Sequence, residues 1–348
     1  MYLTPKVIFA VMYIFLKGYK MKLNQIFTNG TVFQANKPIR LYGTGSGTVS
    51  ASISSSVAKA EFKEEKWLLE LPALDYGGPY TLNINLNGEE IILNDIYIGE
   101  VVLLAGQSNI AMSLGGSSYP KEEYTENLMV RCFNAEHFGG QGHFNPSDGW
   151  VKCTKENAEH FSAIGYHIAD EMSREKGIAV GLIACCMGSS VIESWMPAEI
   201  ANQERFFLPK EEKYDSPYVH GPHNENGALY NVRQQSVVPF TVGNVVWYQG
   251  ESNTGKGEWK IYTDLLEALI IRWREDFMDE KLPFAVVQIA DWDERDDDAW
   301  HGIQKAQEKI TERLDNVFVI KSADVCESFD IHPPTKINLA KRICEYIK

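Results

Sequence analysis

Val101-Val-Leu-Leu-Ala-Gly-Gln-Ser-Asn109 runs from five apolar residues through Gly106 into an amide, a hydroxyl and a second amide. An unbroken apolar run of this length fits a strand buried on both faces, as in a parallel sheet. The switch to polar residues behind a glycine fits the carboxyl end of such a strand, where α/β sheets expose functional groups. Similar apolar runs recur at 179–185, 245–247, 284–289 and 317–320, and helical periodicity separates them. Phe161, Ile164, Ile168 and Met172 share one helix face, closed by Arg174, Lys176 and Gly177. Residues 259–273, 300–310 and 337–343 show three more such faces. Strands alternating with helices predict a three-layer α/β/α domain with a central parallel sheet over residues 99–348.

Upstream the texture differs. Short alternating runs at 39–41, 49–53, 67–71, 80–86 and 91–98 are broken by turn residues, which predicts a small β-sandwich over residues 21–98. Asn87-Gly88 reads as a two-residue hairpin turn, and Asn29-Gly30 and Gly77-Gly78 as further turns. No helix pattern follows the glycines at 43, 45 and 47, so they read as a β connection rather than a phosphate loop. Residues 1–20 hold a short apolar run flanked by Lys6, Lys17 and Lys20. That run is too short to span a bilayer and lacks a small-x-small cleavage site, and Met21 offers an alternative start.

A chain of 348 residues with 44% hydrophobic content can bury a large core. Its net charge of -14 argues against nucleic acid or an anionic membrane as partner. Six cysteines without C-x-x-C spacing argue against a zinc knuckle or redox pair and favour a cytoplasmic location, with secretion the alternative if residues 1–20 act as a signal. His220 and His223 are spaced as H-x-x-H but have no third ligand or helical register, so no metal site is expected. Oligomeric state leaves no mark in the sequence.

Ser108 at a strand end can serve as a helix cap or as a nucleophile aided by free N–H groups. Two other strand ends add small polar residues: Gly188 after the 179–185 run, and Gly250-Glu-Ser-Asn253 after Trp247-Tyr-Gln. In one sheet all three converge on one edge. His332 stands between Asp330 and Pro333-Pro334 at the entrance of the last helix.

Taken in order, Gly106-Gln-Ser-Asn109, Gly188, Gly250-Glu-Ser-Asn253 and Asp330-Ile-His332 resemble the four sequence blocks of SGNH hydrolases. The variants Ala-Gly-Gln-Ser-Asn, Trp-Tyr-Gln-Gly-Glu-Ser-Asn and Asp-Ile-His-Pro-Pro are similar to the sialate O-acetylesterase family. So are Phe161-Ser-Ala-Ile-Gly-Tyr166, Ile192-Glu-Ser-Trp-Met-Pro197 and Leu229-Tyr-Asn231, and the likeness covers most of residues 24–347. The resemblance implies an SGNH, flavodoxin-like fold for residues 99–348 and hydrolysis of O-acetyl groups on a carbohydrate without a cofactor. By position it makes Ser108 the nucleophile and His332 the general base. The N–H groups of Ser108 and Gly188 and the side chain of Asn253 become the oxyanion hole. Gln107 and Glu251 are expected either to bind sugar hydroxyls or to make structural hydrogen bonds. Many SGNH enzymes carry Asp three residues before the His, where this chain has Phe329; Asp330 is therefore the first choice of acid and Glu327 the alternative. Sialate is the substrate by family habit, with acetylated xylan or another plant polysaccharide close behind. Arg233 is a candidate to receive an anionic sugar. A glycan-binding protein without catalysis is the reading of another class, and retention of Ser108, Asn253 and His332 together argues against it.

Overall fold

The structure, a computed structural model, describes residues 20–135, 144–295 and 297–347. The apolar run expected near the N-terminus lies outside these residues. The architecture is mixed α/β: among the described residues, one eleven-stranded mixed sheet carries the helices, and a second sheet has three strands.

A single strand of 18 residues, Glu89–Gly106, organises the molecule. Its first half mixes exposed and buried residues, whereas its last nine are all buried. The first half pairs antiparallel with Gly77–Leu86 across Asn87-Gly88, where φ of 52° and 93° is what this tight turn demands. The second half lies between parallel neighbours, Val180–Cys186 and Asn244–Tyr248. Hence the change of hydrophobic texture: one part of the strand keeps a face toward solvent, the other is covered on both faces. The expected domain boundary at residue 98 falls inside this strand.

Asn127–Asn134 and the antiparallel edge Val151–Cys153 extend the sheet on one side, Phe284–Val287 and Val317–Ile320 on the other. Asn127–Asn134 carries Arg131 in its middle and so lacks an unbroken apolar run. That guanidinium is buried and paired with Asp95 at 3.1 Å. Helices form at Ala163–Lys176, Tyr262–Asp276, Asp298–Glu308 and Ile337–Ile347, where periodicity places them. Gly177 closes the first in the left-handed conformation, and Asp297 caps the third by accepting from the Ala299 and Trp300 amides.

Upstream, Lys22–Leu23, Ile39–Thr44 and Lys66–Leu71 make the three-stranded antiparallel sheet. Gly47–Ile53, Ser56–Phe62 and Gly77–Leu86 join the large sheet. Gly77 and Gly78 open a strand instead of forming a separate turn. Aromatic packing fastens this region to the rest: Phe33 stacks on Phe240 with centroids 5.6 Å apart, and Trp150 lies 6.0 Å from the same ring. All six cysteines are free thiols. Among the described residues, no helix is long and apolar enough to cross a membrane.

Candidate active site

Register brings three strand ends level: Gly106 lies opposite Cys186 on one side and Tyr248 on the other. Gly106 has φ of 127°, and a Cβ there would sit 2.1 Å from the Tyr248 carbonyl oxygen, so only glycine lets the chain leave the sheet here. Ser108 follows as the first residue of a one-turn helix, Ser108–Ala111. The capping position belongs to Gln107, which makes no side-chain cap bond, so the capping reading of Ser108 does not hold. Instead Ser108 Oγ lies 2.7 Å from His332 Nε2.

His332 sits in an irregular segment before the last helix, tethered through its backbone. Asp330 Oδ1 accepts the His332 N–H at 2.8 Å, and Asn109 Nδ2 donates to the Ile331 carbonyl at 3.0 Å. Glu327 Oε2 accepts the Thr335 N–H at 3.2 Å. Partial burial opposes ionisation of Glu327, yet hydrogen bonds from Thr335 and its own backbone together with the Lys336 charge hold this carboxyl below its ordinary range. Among the described residues, neither Asp330 nor Glu327, nor any other carboxylate, is hydrogen-bonded to the imidazole. Burial pushes the His332 pKa below its usual value; Asp330 opposes that shift and Lys336 reinforces it. The ring is thus neutral at pH 7. With its proton on Nδ1, Nε2 accepts from the Ser108 hydroxyl.

Gly188 faces the same point, since a Cβ added to it would meet only the Ser108 Cβ, at 3.8 Å. Ser189 next to it holds φ of 54°, a conformation that L-residues adopt at a cost. Among the described residues, neither the Ser108 nor the Gly188 amide makes a backbone hydrogen bond, so both N–H groups are available to a ligand. Asn253 is placed otherwise. It is fully buried, with Nδ2 donating to Glu193 at 2.9 Å and Glu258 at 3.4 Å, and Oδ1 accepting from Ile192 and Gln249. Its amide braces the loop behind Gly188, with Nδ2 directed at these two carboxylates.

Gln107 and Glu251 are also turned inward, each 3% exposed. Gln107 Oε1 accepts from the Gly250 and Ser252 amides at 3.3 Å each, stitching two strand ends together. Glu251 Oε1 accepts from Asn109 at 2.6 Å. Burial, the largest influence, raises the Glu251 pKa. These contacts are the structural hydrogen bonds that one of the two readings of these residues expects. Arg233, the candidate receiver for an anionic sugar, is 1% exposed. His220 pairs with Asp215 at 2.7 Å. Asn109 and Lys336 carry much of this geometry, although only Asn109 lies in a recognisable block; a lone lysine before a helix has no local signature.

A family model described as carbohydrate esterase, sialic acid-specific acetylesterase, matches residues 98–346, more than half of the chain and all three converging strand ends. The chain belongs to this family. The match to the acetylesterase family begins where the long strand becomes fully buried. Sialate O-acetylesterase from Homo sapiens is 25% identical over 347 residues, spanning 87% of this chain and 65% of the relative. The chain thus spans less than two thirds of that relative's length. The Mus musculus protein of the same name is 22% identical over 371 residues, spanning 87% of this chain and 68% of the relative. Among solved structures, a carbohydrate acetylesterase from Xanthomonas citri is similar, with a TM-score of 0.81 and 26% identity, covering 94% of this chain and 74% of that one.

Proposed function

We propose that the chain is a serine esterase that removes O-acetyl groups from a carbohydrate. The observation that carries this reading is the 2.7 Å contact between Ser108 Oγ and His332 Nε2, beside the Gly188 amide. Ser108 Oγ attacks the acetyl carbonyl carbon while His332 Nε2 takes its proton. The Ser108 and Gly188 N–H groups receive the charge that develops on the carbonyl oxygen. The ester C–O bond then breaks, His332 returns the proton to the sugar oxygen, and the acetyl group stays on Ser108 Oγ. Water, deprotonated by His332, attacks this acetyl-enzyme; acetate leaves and Ser108 regains its proton. Every step uses side chains, backbone N–H groups and water, without a cofactor.

The family description and the relatives named sialate O-acetylesterase support O-acetyl sialic acid as the first substrate to try, with acetylated xylan second. The strand pairings support an SGNH, flavodoxin-like core over residues 99–348 and a β-sandwich over 21–98. Six free thiols support a cytoplasmic setting, with secretion the alternative should residues 1–20 act as a signal. The test is acetate release from O-acetyl sialic acid, acetylated xylan and p-nitrophenyl acetate. Ser108→Ala is expected to lower turnover at least ~10³-fold with the fold intact. Full turnover in folded Ser108→Ala protein overturns the reading.

A further inference from the structure

Lys336 is 2% exposed, an unusual place for an ammonium group. Its Nζ donates to Asn109 Oδ1 at 2.7 Å. The same amide's Nδ2 donates to Glu251 Oε1 at 2.6 Å and to the Ile331 carbonyl at 3.0 Å. Only one orientation of Asn109 satisfies these partners. Flipped, its NH₂ would face the ammonium and its oxygen would face a carboxylate and a carbonyl. Among the described residues, Glu251 Oε2 has no hydrogen-bond partner, so Oε1 is the anchored oxygen. We propose that Lys336 is a positioning residue for His332: its ammonium locks the Asn109 amide, which ties the peptide group before the imidazole to the strand end bearing Ser108.

This inference rests on the proposed esterase reading and supplies what a ring-bound acid supplies elsewhere. Asn109 holds the carbonyl before His332 and Asp330 holds the N–H of His332 itself, so the ring is aimed through both flanking peptide groups. Cys326, Glu251, Glu327 and Asp330 all act on the Lys336 charge, and the ammonium lies 5.9 Å from the centre of the Tyr248 ring. Burial lowers the Lys336 pKa to about 8, so the residue is mostly charged at pH 7. In that form it disfavours imidazolium at His332.

The test uses the full chain and two readouts. Lys336→Met is expected to lower kcat for p-nitrophenyl acetate about 10- to 100-fold with KM within about twofold, because a loosened base misplaces the reacting atoms. Losing the positive charge also raises the His332 pKa, so the acid limb of kcat/KM moves to higher pH. Histidine NMR titration reads the same shift without turnover. Should Lys336→Met fail to fold because Glu251 is left uncompensated, the Lys336→Met/Glu251→Gln double variant carries both measurements, and it is expected to fold yet keep the kcat loss. Wild-type kcat in either folded variant overturns the proposal, whatever the titration does, since loss of the charge alone moves the His332 titration. Turnover insensitive to Ser108→Ala overturns the esterase reading instead.

Discussion

Asp330→Asn separates two ways of orienting a catalytic histidine. Here the carboxylate accepts the His332 backbone N–H at 2.8 Å and makes no bond to the ring. Asparagine keeps an acceptor at that position and gives up only the extra strength of a charged bond, roughly 1 kcal/mol, or about fivefold in kcat/KM. Alanine removes the tether, and since Asp330 is exposed the low end of the ~1.5–3 kcal/mol range applies, on the order of 10-fold. A carboxylate bound to Nδ1 behaves differently: its change to Asn selects the wrong tautomer and costs ~10⁴-fold. Charge gives a second signature. Asp330 favours imidazolium at His332, so neutralising it lowers the histidine pKa and moves the acid limb of kcat/KM to lower pH. The assay is a pH series with p-nitrophenyl acetate on wild type, Asp330→Asn and Asp330→Ala, with folding followed by circular dichroism. A loss of 10³-fold or more in folded Asp330→Asn would refute the backbone-tether reasoning and make Asp330 the acid of a triad.

Glu258 gives a stability prediction. Burial and then the neighbouring Glu193 raise its pKa from 4.5 to about 7, so between these values the native state holds a proton that the unfolded chain releases. Stability contributed by the protonated form is therefore lost as pH rises through that window, by roughly 3 kcal/mol at most. Glu258→Gln is expected to flatten this part of the pH dependence of Tm, and an unchanged slope would count against it. Gly106→Ala is expected to prevent folding or lower Tm sharply, because the Cβ would fall 2.1 Å from a backbone oxygen at φ of 127°; a wild-type Tm would contradict the strand-exit geometry.

The local grammar of the chain was legible in its residues. Period-two alternation marked the partly exposed strands, unbroken apolar runs the covered ones, Asn87-Gly88 the hairpin, and Gly177 the end of a helix. Such features depend on neighbours within a few positions, so composition and spacing report them directly. Placing Ser108 and Gly188 on one edge also followed, since parallel strands of one sheet end on the same side. What lay beyond reach was the direction each polar side chain takes at that edge. Ser56–Phe62 alternates as well, yet Val57 points outward at 66% exposure, so alternation did not fix which face was inside. Asn253, Gln107 and Glu251 looked like ligand-facing groups but bond to residues from other segments, Glu251 to Asn109 across 142 positions of sequence. Lys336 reaches Asn109 across 227 positions. Contacts of that separation are decided by how strands and helices pack, because a buried amide or carboxylate takes whichever partner the fold brings within 3 Å rather than remain unpaired. The sequence blocks therefore pointed to Ser108 and His332, while tertiary structure alone decided that His332 is tethered through its flanking peptide groups and that a buried Lys336 meets Asn109.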